Sequence, residues 1–258
     1  MIKVIVSGFN GSMGQKAVAM VNQNKDFQLV GVFNPIIDSV DPLDYGLEPD
    51  IKVYKDLSKI DIDADIWIDF SIPSAVFDNT KFAISKGIRP VIGTSGLSEE
   101  QTTELKLLAD AKSLGGIIAS NFGISAVLMM KFAQTAAKYF DQAEIVETHH
   151  EDKLDAPSGT ALNTARLIHE VQQKDEPINP NESDPLGTRG GDYHGIKIHA
   201  IRLPGFIADE EVIFGSDGES LTVKQSTTDR ASFMKGVQLA IKEVMKRDKL
   251  VIGLEKII

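Results

Sequence analysis

The stretch that most constrains the fold is the first one. Ile2 to Ser7 is a short, β-branched, nearly continuous apolar run, the pattern of a strand buried on both faces of a parallel sheet. Gly8-Phe9-Asn10-Gly11-Ser12-Met13-Gly14 follows directly, and an amphipathic stretch from Gln15 to Asn24 follows that. Strand, glycine-rich turn and helix in this order form a dinucleotide-binding arrangement. The glycines let backbone approach a pyrophosphate, and the helix N-terminus faces the anion. The spacing is Gly-x-x-Gly-x-x-Gly, not the stricter Gly-x-Gly-x-x-Gly, so a plain βα turn without a ligand is the competing reading.

The alternation continues. Gln28–Phe33 reads as a second strand, and Ile51–Tyr54 as a short one within an acidic stretch, 36–63, rich in Pro and Asp. Asp65–Ser71 is a strand with a polar end, and a helix starts at Ile72-Pro73-Ser74 and runs to Lys86. Pro90-Val91-Ile92 is a strand that opens into Gly93-Thr94-Ser95-Gly96. Ser98 caps a helix to Ser113 with Glu99 and Glu100 in its first turn. Gly116–Gly123 is one more strand, ending in Ala119-Ser120-Asn121-Phe122. Such β-α-β alternation over about 120 residues predicts an α/β fold, a doubly wound open parallel sheet with helices on both faces. Ligands of such sheets sit beyond the carboxyl ends of the strands. The loops Gly8–Gly14, Gly93–Ser95 and Ala119–Phe122 are therefore expected to converge on one crevice, although the last two also fit ordinary small-residue turns. The second strand ends in Phe33-Asn34-Pro35. It offers neither an acid for a ribose 2′-hydroxyl nor an arginine for a 2′-phosphate, so NADH and NADPH both stay open.

In the second half a helix spans Ala126–Phe140, and from Ala143 the pattern alternates. Ile145, Glu147 and His149 share one face; Val146, Thr148 and His150 share the other. Both histidines can face one ligand only if the strand ends or bends near His150. Glu151–Pro157 reads as a loop, and Ser158-Gly159-Thr160 leads a helix whose first N–H groups can receive a carboxylate. Residues 173–195 read as a long polar loop. Ile196–Leu203, Glu210–Phe214 and Ser220–Gln225 read as antiparallel strands of a second, α+β region with a mixed or antiparallel sheet. A helix over Ala231–Arg247 follows, and Leu250–Leu254 is expected to add a last strand to the first domain. The domains implied are 1–126 with 230–258, and 127–229.

Glu147–Thr160 concentrates the reactive groups, with two of the five histidines and Lys153. Histidine exchanges protons near neutral pH, and lysine adds a positive charge or an acid. Together they suit a small mono- or dicarboxylate whose negative charge grows during hydride addition. Asp152 and Asp155 beside the histidines raise a metal site as a rival, but Lys153 would repel a cation and no helical His-x-x-x-His spacing is present; no metal is expected. The formal net charge of −10 argues against a nucleic-acid partner. There is no cysteine, hence no disulfide or thiolate chemistry. No apolar run approaches the ~18 residues of a membrane span, and the N-terminus lacks a signal-peptide pattern. The expected location is cytoplasmic.

The run Glu147-x-His149-His150-x-x-Lys153-x-Asp155-Ala156-Pro157-Ser158-Gly159-Thr160-Ala161 resembles the signature of the 4-hydroxy-tetrahydrodipicolinate reductase (dihydrodipicolinate reductase) family of bacterial lysine biosynthesis. The likeness extends through Gly8–Gly14, Gly93-Thr94-Ser95 and Ala119-Ser120-Asn121-Phe122. It implies NADH or NADPH in the N-terminal domain, held by Gly8, Asn10, Gly11, Ser12, Met13, Asn34, Gly93, Thr94, Ser95, Ala119, Ser120, Asn121 and Phe122. It implies a dicarboxylate substrate in the second domain and hydride addition at its C4. His149 would be the acid/base residue and Lys153 the proton donor, with His150, Ser158, Gly159 and Thr160 on the substrate's carboxylates. It further implies a homotetramer built through the second domain's sheets, and a hinge near residues 126 and 230. Two features depart from the family pattern: Asn34-Pro35 stands where an acid would, and Ala208-Asp209-Glu210-Glu211 stands where Gly-Glu-His is common. Two other readings remain at this point. One is a different two-domain dehydrogenase of a small carboxylate, although without cysteine it is not a thioester-forming semialdehyde dehydrogenase. The other is a nucleotide sensor without catalysis.

Overall fold

The computed structural model describes residues 1–173, 181 and 183–258. The chain divides into two compact units, Met1–Phe122 with Phe233–Ile258, and Gly123–Ser232. The first 122 residues form β1 (Ile2–Ser7), α1 (Ser12–Gln23), β2 (Phe27–Phe33), β3 (Lys52–Tyr54), β4 (Ile66–Asp69), α2 (Val76–Ser85), β5 (Arg89–Ile92), α3 (Glu99–Asp110) and β6 (Gly116–Ile118). Ser98 caps α3 in a capping box with Gln101, so a local signal sets that boundary.

The second unit contains α4 (Ile124–Ala136), β7 (Gln142–His149), α5 (Gly159–Gln172), β8 (Gly191–Tyr193), β9 (Ile196–Arg202), β10 (Ala208–Ser216) and β11 (Glu219–Thr227). Its sheet has the order β11-β10-β7-β9-β8. β7 pairs antiparallel with β10 but parallel with β9. The sheet is therefore mixed: β9, β10 and β11 alternate in direction as expected, and β7 lies between β9 and β10, parallel to the first. α5 carries the chain back along β7 before β9 begins, and a parallel neighbour needs such a crossover. β8 was also not expected, since it lies within the stretch read as loop; positions 174–180 and 182 of that stretch lie outside the described residues. One face of this sheet is core, with Ile145, Ile198, Val212 and Phe214 buried. The other face leaves Ile201 and Ile213 each 38% exposed.

The chain then returns to the first unit with α6 (Met234–Val244) and β12 (Leu250–Ile252). A 3-10 turn, Arg230–Phe233, takes up the residues where α6 was expected to begin. The completed sheet has the order β12-β6-β5-β4-β1-β2-β3, with every pairing parallel. Ile5, Trp67 and Ile92 are buried with Val76 and Ala83 of α2, while Val4, Val6, Ile66, Ile68 and Val91 are equally buried. Both faces are therefore covered, which explains why these strands read as continuous apolar runs. The strand order reverses between β1 and β4, so the crevice of this sheet opens there.

The β1–α1 turn is closed by backbone. A Cβ on Gly14 would sit 2.0 Å from the Gly8 carbonyl oxygen, and one on Gly8 would sit 2.4 Å from the carbonyl oxygen of Phe70. Gly14→Ala is expected to lower the stability of the first unit by about 1–3 kcal/mol through overpacking, measured as the urea midpoint at unchanged slope.

Candidate functional site

In the first unit, the predicted cofactor residues lie along the carboxyl edge of the sheet. α1 begins after Gly11 with no side-chain cap and no acid in its first turn. Its N-terminal amides and positive dipole end suit a phosphate. Asn10, Gly11 and Ser12 are exposed, Met13 is half-buried and Gly8 is buried. Asn34 donates from Nδ2 to Asn10 Oδ1, which ties the end of β2 to the glycine turn.

Asp69, missed in the sequence reading, organises the remaining loops. It is fully buried at the end of β4. Its carboxylate accepts from Trp67 Nε1 at 3.2 Å, Ser71 N at 3.0 Å, Ser71 Oγ at 2.6 Å, Asn79 Nδ2 at 3.0 Å and Thr94 Oγ1 at 2.7 Å. Thr94 is thereby turned inward as a support, whereas Ser95 is exposed. A Cβ on Gly93 would meet the Phe70 ring at 2.2 Å, and Phe70 packs edge-on against Phe122. Ala119 N donates to Ile92 O at 2.9 Å and its side chain is buried; Ser120 is exposed and Asn121 half-buried. The structure thus joins the Gly8, Gly93 and Ala119–Phe122 loops through Phe70 and the strand ends. This edge fits a dinucleotide: an uncapped helix start, a turn of backbone closed too tightly for a Cβ, and exposed small residues beside it.

In the second unit the strand does end at His149, so His150 leaves the alternation and is freed from the opposite face. Glu147 is the hub. It is 0% exposed, and its carboxylate contacts His149 Nδ1. It also accepts from Arg202 Nη1 and Nη2 at 2.9 Å each, and from Ser158 N at 3.1 Å. His149 and Arg202 are partners in the β7–β9 register. Arg202 Nη2 also donates to Asp155 O at 2.7 Å. Lys153 Nζ reaches both carboxylate oxygens of Asp155, at 2.7 and 2.9 Å. One ion-pair network therefore ties together the strand end, the loop and the start of α5.

Each group takes its chemical state from this arrangement. Burial alone raises the pKa of Glu147, but hydrogen bonds from His149 and Arg202 outweigh it and hold the carboxyl below the ordinary glutamate range. Lys153 holds the Asp155 carboxyl low in the same way. With Nδ1 of His149 turned to Glu147, Nε2 is the nitrogen left to exchange a proton with a ligand. Ser158 Oγ accepts from Ala161 N at 3.1 Å, so it caps its own helix. A Cβ on Gly159 would meet nothing within 4 Å; packing inside the unit does not require glycine there, and the space lies at the exposed helix start. Thr160 is half-buried beside it. Among the described residues, no group of three or more His, Asp or Glu is placed to hold a metal ion, and no helix is long and apolar enough to cross a membrane.

Arg202, Glu210 and Thr164 were also missed. Each lies outside the Glu147–Thr160 run, and only strand pairing or helix packing brings it in.

The family model "Dihydrodipicolinate reductase, N-terminus" matches residues 2–122, and "Dihydrodipicolinate reductase, C-terminus" matches residues 125–258. The 4-hydroxy-tetrahydrodipicolinate reductase of Limosilactobacillus fermentum is 50% identical over 259 residues, with 100% of both chains covered. That of Lactiplantibacillus plantarum is 51% identical over 261 residues, again with 100% of both covered. Among solved structures, dipicolinate-bound dihydrodipicolinate reductase from Paenisporosarcina sp. TG-14 matches with a TM-score of 0.91 and 43% identity over 100% of both chains. Myo-inositol dehydrogenase from Lactobacillus casei in complex with NAD(H) and myo-inositol is 15% identical with a TM-score of 0.63, covering 95% of this chain and 87% of that one; that likeness is one of fold alone.

Arg202→Met would leave Glu147 buried without its guanidinium. The expected cost is about 3–5 kcal/mol, read by denaturant unfolding near neutral pH. The pH dependence has a definite sign. The folded carboxyl of Glu147 titrates below the ordinary glutamate range, so its stabilisation is complete above that range and is lost as pH falls through the folded pKa. The variant should lose this acid-side limb.

Proposed function

The chain belongs to the dihydrodipicolinate reductase family, and we infer from that premise that it reduces 4-hydroxy-tetrahydrodipicolinate to tetrahydrodipicolinate with NADH or NADPH, in lysine and diaminopimelate biosynthesis. The observation that carries the site assignment is the Glu147 hub, which links His149, the Lys153–Asp155 pair and the first turn of α5 in one network.

The cofactor belongs to the unit formed by the two ends of the chain, along the Gly8–Gly14, Asn34, Gly93–Ser95 and Ala119–Phe122 edge. When bound, it would supply the hydride that adds at C4 of the unsaturated imine left once the 4-hydroxyl and a C3 hydrogen have departed as water. The dicarboxylate substrate belongs to the second unit. His150, Gly159 and Thr160 face its carboxylates, with Ser158 holding the helix start in place. His149 exchanges a proton through Nε2 while Glu147 holds its tautomer and orientation. Lys153 delivers the proton that completes reduction, and Asp155 keeps its side chain aimed. Ile201 and Ile213, half-exposed on the sheet face away from the core, support a homotetramer built through that face, since exposed apolar side chains of this kind mark an association surface. The location assigned is the cytoplasm.

The purified protein is expected to oxidise NADH or NADPH only when the condensation product of pyruvate and aspartate semialdehyde is present. A folded sample that oxidises neither cofactor with that substrate would overturn the assignment. Lys153→Ala is expected to lower kcat by roughly two orders of magnitude or more, with the cofactor's Kd unchanged. Ile213→Asp is expected to shift the sedimentation coefficient to that of a smaller assembly.

A further inference from the structure

Glu210 is a buried carboxyl that the chemistry above does not use. It lies within β10, 2% exposed, in register with Glu147 of β7 on one side and Gln225 of β11 on the other. Gln225 is engaged elsewhere: its Oε1 accepts from Ser125 and Thr227, and its Nε2 donates to Ala208 O. Glu210 Oε2 is buried without a hydrogen-bond partner. Glu210 Oε1 lies 2.6 Å from Thr164 Oγ1, and that same hydroxyl lies 2.9 Å from the carbonyl oxygen of Thr160.

A threonine hydroxyl has one proton to give. Inside a helix it commonly goes to the carbonyl four residues back, here Thr160. If it does, the shorter contact, to Glu210, has no hydrogen unless the carboxyl brings one. A single arrangement satisfies both: the Glu210 O–H donates to Thr164 Oγ1, and the Thr164 O–H donates to Thr160 O. Thr160 stands in the first turn of α5.

We propose that Glu210 is a positioning residue that carries a proton in the working enzyme and, through Thr164, fixes the first turn of α5 for the substrate's carboxylate. The functional half of this rests on the assignment of that turn to substrate binding. The electrostatics agree with the geometry. Burial pushes the carboxyl up, the Thr164 hydroxyl draws it part of the way back, and the charge of Glu147 adds to the rise, which ends at about 7. The surrounding elements supply little positive charge to oppose this. β7 presents Glu147 with His149 behind it; α5 presents the neutral Thr164, and β11 the neutral Gln225. The one charged residue in α4 is the half-buried Lys131. Arg202 of β9 directs both Nη groups at Glu147 and at backbone carbonyls.

Loss of the proton places a second negative charge opposite Glu147. It also removes the donor to Thr164, whose hydroxyl must then turn from Thr160 to Glu210. Because the folded pKa is raised, the positioned state is present below about pH 7 and is lost as pH rises through that value.

Glu210→Gln supplies the test, since the amide keeps the shape, has an N–H for Thr164 and does not titrate. Two measurements on the full chain are compared between about pH 6 and about pH 8.5: hydrogen exchange of segment 158–165, and calorimetric binding of dipicolinate as a dicarboxylate probe. Wild-type protection and affinity are expected to fall about tenfold more than those of Glu210→Gln over this range, the equivalent of one pKa unit. Identical pH dependence of the two proteins in exchange, or in binding where binding occurs, overturns the proposal. If dipicolinate binds neither protein, the substrate assignment fails, and exchange still decides the role of Glu210. Thr164→Val, which cuts the link without touching the carboxyl, should show weak protection of 158–165 at every pH. Full protection in that variant also overturns the proposal.

Discussion

The second unit is organised by one buried ion pair. Placing the Glu147 carboxylate in a protein interior costs several kcal/mol, and only a complete set of donors offsets it. Arg202 supplies two N–H groups, Ser158 a backbone amide and His149 a ring nitrogen. These donors come from a neighbouring strand, a helix start and the end of Glu147's own strand. Satisfying one carboxylate therefore fixes β9 against β7, the entry to α5 and the ring of His149 together. The role proposed for His149 is compatible with this geometry, in which the imidazole meets Glu147 through Nδ1.

The first unit solves a comparable problem differently. Asp69 is also buried, but its partners are an indole, a backbone amide, hydroxyls and a side-chain amide. None of these partners is a cation. The result is a stiff floor beneath loops whose own backbones run close together at Gly8, Gly14 and Gly93. One unit holds its reactive groups with charge, the other with neutral donors and close backbone contact, and each suits its proposed ligand. A charged hub tunes proton-carrying side chains, whereas a neutral floor leaves helix-terminal amides to meet phosphate.

Much of this was legible in the chain. The parallel sheet could be read because its strands are covered on both faces and so lack alternation, as in Ile66-Trp67-Ile68. The end of β7 could be anticipated from the demand that two adjacent histidines serve one ligand. Local signals also placed Ser98 and Ser158 as caps. What could not be read depends on pairing between distant residues. Arg202 sits beside His149 only because β9 runs parallel to β7, and alternation within β9 is the same for either direction. Glu210 reads as one acid in an acidic run, Asp209-Glu210-Glu211, until β10 turns its middle member inward. Asp69 closes a strand like any polar residue until Trp67, Asn79 and Thr94 converge on it.

The strand β12 carries a further consequence. It pairs with β6, and α6 packs with α1, yet both belong to the last 26 residues, Phe233–Ile258. On a ribosome adding roughly 5–20 residues per second, the first sheet emerges with the β6 edge bare and stays so while all of Gly123–Ser232 is made. A bare parallel edge is a template for unwanted pairing. The middle unit therefore has its whole synthesis time in which to fold as an insertion, while the outer unit waits for its final strand. Arrival of β12, not appearance of the glycine turn, is therefore the step that pairs the β6 edge.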